Sequence, residues 1–139
     1  MVFQHQMDIV KEKKMKPKNL LDCIKLLLKE DFGKFKDCDE KDILYYHHTT
    51  GRKIRNDYDI WNKESELHKW FNSIGINHPD DMSGIILITF HRILNRKPVK
   101  LKKQIDGYTK YWDHEKNNLL LIKTEENKQK IKDWKIVKE

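Results

Sequence analysis

Between Pro79 and Leu94 the chain sets Met82, Ile85, Ile86, Phe90, Ile93 and Leu94 on one broad helical stripe, which Leu87 and Ile88 widen. A helix that is apolar around so much of its circumference needs neighbours on most sides, so it belongs at the centre of the fold. The run His78-Pro79-Asp80-Asp81 opens it. Proline is pre-set for a first helical turn, and acids there face the positive end of the helix dipole. Asn95 to Pro98 closes it.

Shorter amphipathic stretches supply the neighbours. Asn19 can cap a helix bearing Leu20, Cys23, Ile24 and Leu27, with Gly33 as its stop. Asp39 is placed to cap a short helix over 42–47 that carries Ile43, Leu44 and Tyr46. Leu67, Trp70, Phe71 and Ile74 predict a helix over 63–74, closed by Gly75. Leu101, Ile105, Tyr108 and Trp112 predict another across Gly107. The stretch 49–59 has no apolar period and is dense in turn formers and charge, so a loop is expected, with room for one helical turn. After His114 the pattern fits either a strand at 119–122 pairing with Trp134, Ile136 and Val137, or a helix through 125–135.

The fold expected is mainly α, a compact single-domain bundle of about five amphipathic helices, with a short β-hairpin or an extra helix in the tail. Its expected divisions are a basic arm over 1–18, flexible or loosely docked, a helical core over 19–113, and an extension packed on it over 114–139.

Charged residues make up 37% of the chain, against about 25% in an average domain. Such an excess suits exposed helical faces, while 10% aromatic residues are too many for a disordered chain. The formal charge of +7 favours anionic partners such as nucleic acid or an acidic protein surface, although a lysine-rich surface also serves solubility alone. Cys23 and Cys38 form no CxxC and no framework, and no apolar run approaches the roughly 18 residues of a membrane span. With no signal segment and no N-x-[ST] sequon, the expectation is a cytoplasmic protein with reduced thiols and no membrane association.

Three stretches can carry chemistry. In the first, His47, His48, Arg55 and Asn56 surround Gly51. A guanidinium fork suits phosphate or carboxylate, and imidazole adds acid–base capacity near neutrality. The same residues can instead tie down a loop from inside. In the second, His78, Asp80, Asp81 and Ser83 resemble a metal or nucleophile cluster, yet Pro-Asp-Asp is also what a helix start prefers. Adjacent helical residues point about 100° apart, which ill suits one shared ion. The third is the basic run Arg92, Arg96, Lys97, Lys100, Lys102 and Lys103, which no acid interrupts before Asp106 and which has charge enough for several phosphates. No HExxH, P-loop or GxGxxG occurs, so no metal and no cofactor is expected.

From His48 and Gly51 the chain reads Ile54-Arg55-Asn56, Ile60-Trp61, Leu67 with Phe71, and Gly75-Ile76. It continues with His78 to Ser83, Ile86-Leu87, Phe90-His91-Arg92, Leu94-Asn95, Gln104, Tyr108 and Tyr111-Trp112. Over 42–112 this pattern resembles a small bacterial family of domains of unknown function. The resemblance implies a polar network common to the family, either a ligand site or an architectural clasp, and brings no reaction with it. The function expected is a non-enzymatic binding protein of immunity, inhibitor or sequestering type. It would engage an anionic ligand or acidic protein partner through the 51–61 segment, Trp61 included, and the start of the Pro79 helix. The alternatives are a small hydrolase or transferase using His48 or His78 with Asp80 or Asp81, and nucleic-acid binding through the basic run.

Overall fold

A computed structural model describes the backbone of residues 16–138 and the side chains of residues 16–119. Residues 1–15 of the expected arm over 1–18, residue 139 and the side chains of 120–138 lie outside the described residues. Among the described residues there are five α-helices and no strand. They are α1 (Leu20–Leu27), α2 (Arg52–Asp57), α3 (Glu66–Ser73), α4 (Pro79–Leu94) and α5 (Leu101–Lys138). Two 3-10 segments, Gly33–Asp37 and Glu40–Tyr46, and a π turn, His47–Gly51, join α1 to α2.

The helix with the widest apolar face is the hub. Met82, Ile85, Ile86, Leu87 and Phe90 of α4 are all buried, and α1, α2, both 3-10 segments and the π turn pack against it. Rings from the first 3-10 segment complete the core: Phe35 stacks on Phe90 with centroids 5.8 Å apart and meets Tyr46 edge-on at 5.0 Å. Such pairs contribute roughly 0.5–1.5 kcal/mol each beyond their buried area.

Local signals explain most boundaries. Asn19 caps α1 by accepting from the Asp22 amide at 2.9 Å. Ser65 caps α3 by accepting from the His68 amide at 3.2 Å. Gly75 follows α3 with φ +91°, in the left-handed region that glycine enters without Cβ strain. Two local expectations fail. Gly33 does not stop α1, which ends at Leu27; its φ of +59° turns the chain into the first 3-10 segment. Asp39 stands at the head of the second 3-10 segment without a side-chain cap bond. There Ile43 is buried, while Leu44 and Tyr45 are 80% and 79% exposed.

The expected loop over 49–59 is largely helical, running through the π turn directly into α2. Gly51 is the reason for the difference. Its φ of −60° is helical, so this glycine makes no turn and instead allows a close approach. A Cβ there would lie 3.0 Å from Arg55 Nη1, 3.3 Å from the Tyr46 carbonyl oxygen and 3.4 Å from Leu87 Cδ1.

One compact unit closes at Leu101 and a second begins at Lys102. The tail forms neither a hairpin nor a separate helix, because α5 continues unbroken to Lys138. The four apolar residues at 119–122 are too short a run to distinguish strand from helix, and the surrounding Lys, Glu, Gln and Leu favour helix.

The two glycines predict opposite outcomes. Gly51→Ala should cost about 1–3 kcal/mol, as overpacking at a filled site does. Gly107 has open space for 4 Å around the position a methyl group would take. Its replacement by Ala should therefore gain up to about 1 kcal/mol of α5 stability. Thermal melts followed by circular dichroism at 222 nm would check both signs.

Candidate functional site

Arg55 is 5% exposed although it carries a full charge. The last turn of α2 carries it, beneath the start of α4 and against the π turn. Its Nη1 donates to Ser83 Oγ at 2.8 Å and its Nη2 to the His47 carbonyl at 3.0 Å. Its Nε stands 3.6 Å from Asp80 Oδ1. Ser83 Oγ passes its own hydrogen to the Asp80 carbonyl at 3.0 Å. One guanidinium thus joins the π turn to two points of α4 through directed, charge-assisted bonds.

Two imidazoles flank Asp80 in defined tautomers. His47 Nδ1 lies 3.4 Å from Arg55 Nη1. A guanidinium only donates, so Nδ1 accepts and the proton sits on Nε2, 3.8 Å from Asp80 Oδ1. Burial, and then the Arg55 charge, hold His47 below the ordinary histidine range. His78 caps α4 by accepting from the Asp80 amide through Nδ1 at 3.0 Å, so its Nε2 also carries the proton. Imidazole is an uncommon cap, and the usual Ser/Thr/Asp/Asn preference gives no hint of it.

The polar cluster continues to the surface. Trp61, 55% exposed, meets His78 edge-on at 6.4 Å, and His47 meets the exposed His48 edge-on at 4.9 Å. A continuous line therefore runs Trp61, His78, Asp80, His47, His48, with Arg55 and Ser83 beneath. Asn56 is exposed on α2 and Asp81 is half-buried in the first turn of α4. Among the described residues no group of three or more His, Cys, Asp or Glu is arranged to hold a metal ion, and no helix is long and apolar enough to cross a membrane.

The basic run does not act as one block. Arg92 Nε donates to Glu40 Oε1 at 2.7 Å, and its Nη2 lies 2.6 Å from the same oxygen. Its Nη1 donates to the Val99 carbonyl. Arg96, Lys97, Lys100, Lys102 and Lys103 are exposed.

Two buried histidines are not among the candidate site residues read from the sequence. His68 Nδ1–H donates to the Ile60 carbonyl at 2.7 Å and holds the connection between α2 and α3. His91 Nε2–H donates to the Cys38 carbonyl at 2.7 Å, while its buried Nδ1 has no hydrogen-bond partner. Both sit at helical-face positions that read as core. Only the bulk and polarity of histidine there signalled a bond across the fold. Cys23 and Cys38 are free thiols, and burial pushes the Cys23 thiol far up, which leaves it protonated and unreactive.

Arg55→Ala should destabilise the fold by roughly 3 kcal/mol, because the buried Ser83 hydroxyl and the His47 carbonyl lose their donors. Ser83→Ala should cost about 1 kcal/mol. Urea unfolding would check both. The depressed His47 also sets a pH dependence. The unfolded chain takes up its proton as pH falls through about 6.5, before the folded chain does, so the His47 contribution is full above that pH and shrinks below it. Replacing His47 with Gln should flatten that slope.

No curated protein and no solved structure matches the chain. One family model does, over residues 16–94. That span takes in α1 as well as the whole Arg55 cluster, stops at the end of α4, and leaves out the Gln104, Tyr108 and Tyr111-Trp112 part of the motif read from the sequence. On a match covering more than half its length, the chain belongs to the family described as a domain of unknown function, DUF6794.

Proposed function

We propose that this domain is a non-enzymatic protein-binding module that engages an acidic surface of its partner through Trp61, His78, His47 and His48, set around Asp80 of the clasp beneath. The observation that carries this reading is the continuous line from an exposed tryptophan across two tautomer-defined imidazoles to a third. It rests on a charged clasp whose own donors are directed inward. Exposed aromatic side chains on a rigid base are the usual energetic anchors of protein interfaces.

The clasp itself takes no part in capture. Arg55 spends its fork on Ser83, the His47 carbonyl and Asp80, so an anion would have to displace an internal bond to reach it. Ser83, fully buried and donating to the Asp80 carbonyl, is no nucleophile, and Asp80 is engaged by Arg55, which argues against hydrolytic chemistry here. What the surface presents is a row of imidazole rings beside an exposed indole, on a chain of net charge +7. Acidic side chains of a partner suit such a surface, since carboxylates accept hydrogen bonds from imidazole and indole N–H groups. Nucleic-acid binding is the second reading, favoured by the exposure of Arg96, Lys97, Lys100, Lys102 and Lys103.

The test is affinity purification of the full chain from its native cells beside a Trp61→Ala/His48→Ala double variant and a Lys97→Gln control. Proteins recovered with wild type and control should be lost from the double variant, and the measured affinity should drop about 30-fold per anchor, roughly 2 kcal/mol. Any gain in affinity that depends on His47 protonation should come only below the ordinary histidine range, because burial and then the Arg55 charge hold its proton off. An unchanged set of partners in the double variant would refute the proposal. Steeply salt-dependent binding to duplex or single-stranded nucleic acid, lost on neutralising Lys97 and Lys100, would favour the second reading.

A further inference from the structure

From Glu40 to Asp57 the backbone winds without a break through the second 3-10 segment, the π turn and α2. Its outward residues fall in pairs: Leu44-Tyr45, His48-Thr49, Arg52-Lys53 and Asn56-Asp57 are all exposed. Between the pairs, Ile43, Gly51, Ile54 and Arg55 are buried, and Tyr46, His47 and Thr50 are half-buried. The pairs recur every four residues. Four residues of α-helix overshoot one turn by about 40°, and the π turn, which is wider and rotates less per residue, offsets part of that drift. The outward pairs therefore form one stripe. At its head Leu44 and Tyr45 are 80% and 79% exposed, and no large apolar side chain among the described residues is more so. Their neighbours hold them in that position. Ile43 is buried, Tyr46 meets Phe35 edge-on at 5.0 Å, and Glu40 accepts from Arg92.

The charges along the stripe decide what covers it. After the apolar head come His48, Arg52 and Lys53, and no acid follows before Asp57 at the far end. Lys53 reaches Glu30 at 3.4 Å, so Arg52 carries the outward charge of the middle. An apolar head followed by a basic middle is the complement of a segment with apolar side chains at one end and carboxylates beside them. Rows of side chains at four-residue spacing also pack between the rows of a second helix. We propose that this stripe docks an acidic amphipathic helix of a partner protein, with Leu44 and Tyr45 against its apolar face and His48 and Arg52 against its carboxylates. Two apolar side chains are too few to seat the stripe in a bilayer, and phosphates make no use of them. The inference rests on the protein-binding reading of the Trp61 surface and extends it, since His48 belongs to both.

The test is photo-cross-linking of the full chain in its native cells, with Tyr45→p-benzoylphenylalanine in one variant and Trp61→p-benzoylphenylalanine in another. Both should attach to the same protein. The peptide joined to position 45 should carry apolar residues three or four apart with Asp or Glu beside them. A synthetic peptide of that sequence should bind the full chain, and Leu44→Ser with Tyr45→Ser should weaken it about 30-fold. Arg52→Glu should weaken it about tenfold at low salt and less at high salt, while Lys97→Gln should leave it unchanged. All three replaced side chains are exposed, so thermal melts of these variants should match wild type. Cross-linking from position 61 but not 45, or a basic or wholly polar peptide at 45, would overturn the docking face and leave the Trp61 surface standing. So would adducts with nucleic acid or lipid at 45, or a peptide affinity indifferent to Leu44→Ser with Tyr45→Ser. Silence at both positions would sink both proposals.

Discussion

The buried guanidinium of Arg55 holds the arrangement of this domain together. Burying a charge is costly unless its donors are matched, and here they are matched by groups from three places in the chain. The π turn supplies a carbonyl, the first turn of α4 supplies a carboxylate, and the same helix supplies the Ser83 hydroxyl. No hydrophobic side chain could impose that geometry, since apolar contact has no direction. The clasp sets the register of α2 and the π turn against α4, and Gly51 must lack a side chain for the guanidinium to reach its place.

A second layer of directed bonds extends the same logic. Arg92 on α4 grips Glu40 and the Val99 carbonyl, while His91 holds the Cys38 carbonyl and Asn95 the Lys36 carbonyl at 3.0 Å. Short 3-10 and π segments have few backbone bonds of their own, so side chains of the hub helix must satisfy the rest. The density of His, Arg and Asn at the end of α4 follows from what surrounds it. These bonds also explain why the surface line from Trp61 to His48 can be rigid without being buried: its foundations are fixed from beneath.

Much of this was legible in the residues. The cap at Asn19, the proline start and acidic first turn of α4, its wide apolar face and the left-handed Gly75 are local signals with local causes. The 51–61 segment was legible as dense in charge and turn formers but not as helical, because Gly51 serves a close approach that only the packed guanidinium reveals. His47, Arg55, Asp80 and Ser83 could be singled out by type, but not sorted into clasp and surface. That sorting depends on which donors face inward, and burial is a property of the assembled fold. The basic run looked continuous in the chain, and Glu40, dozens of residues away, takes one of its charges.

Taken alone, the residues settle that this chain is helical, where most helices begin, and which helix must lie at the centre, because capping and apolar period act within a turn or two of chain. Packing settles the rest: that Arg55 faces inward, that His78 rather than a hydroxyl or carboxylate caps α4, and that the tail is one helix with α5. Each of these is set by a partner distant in sequence or by cooperative continuation of a helix, and neither cause leaves a mark in the local pattern.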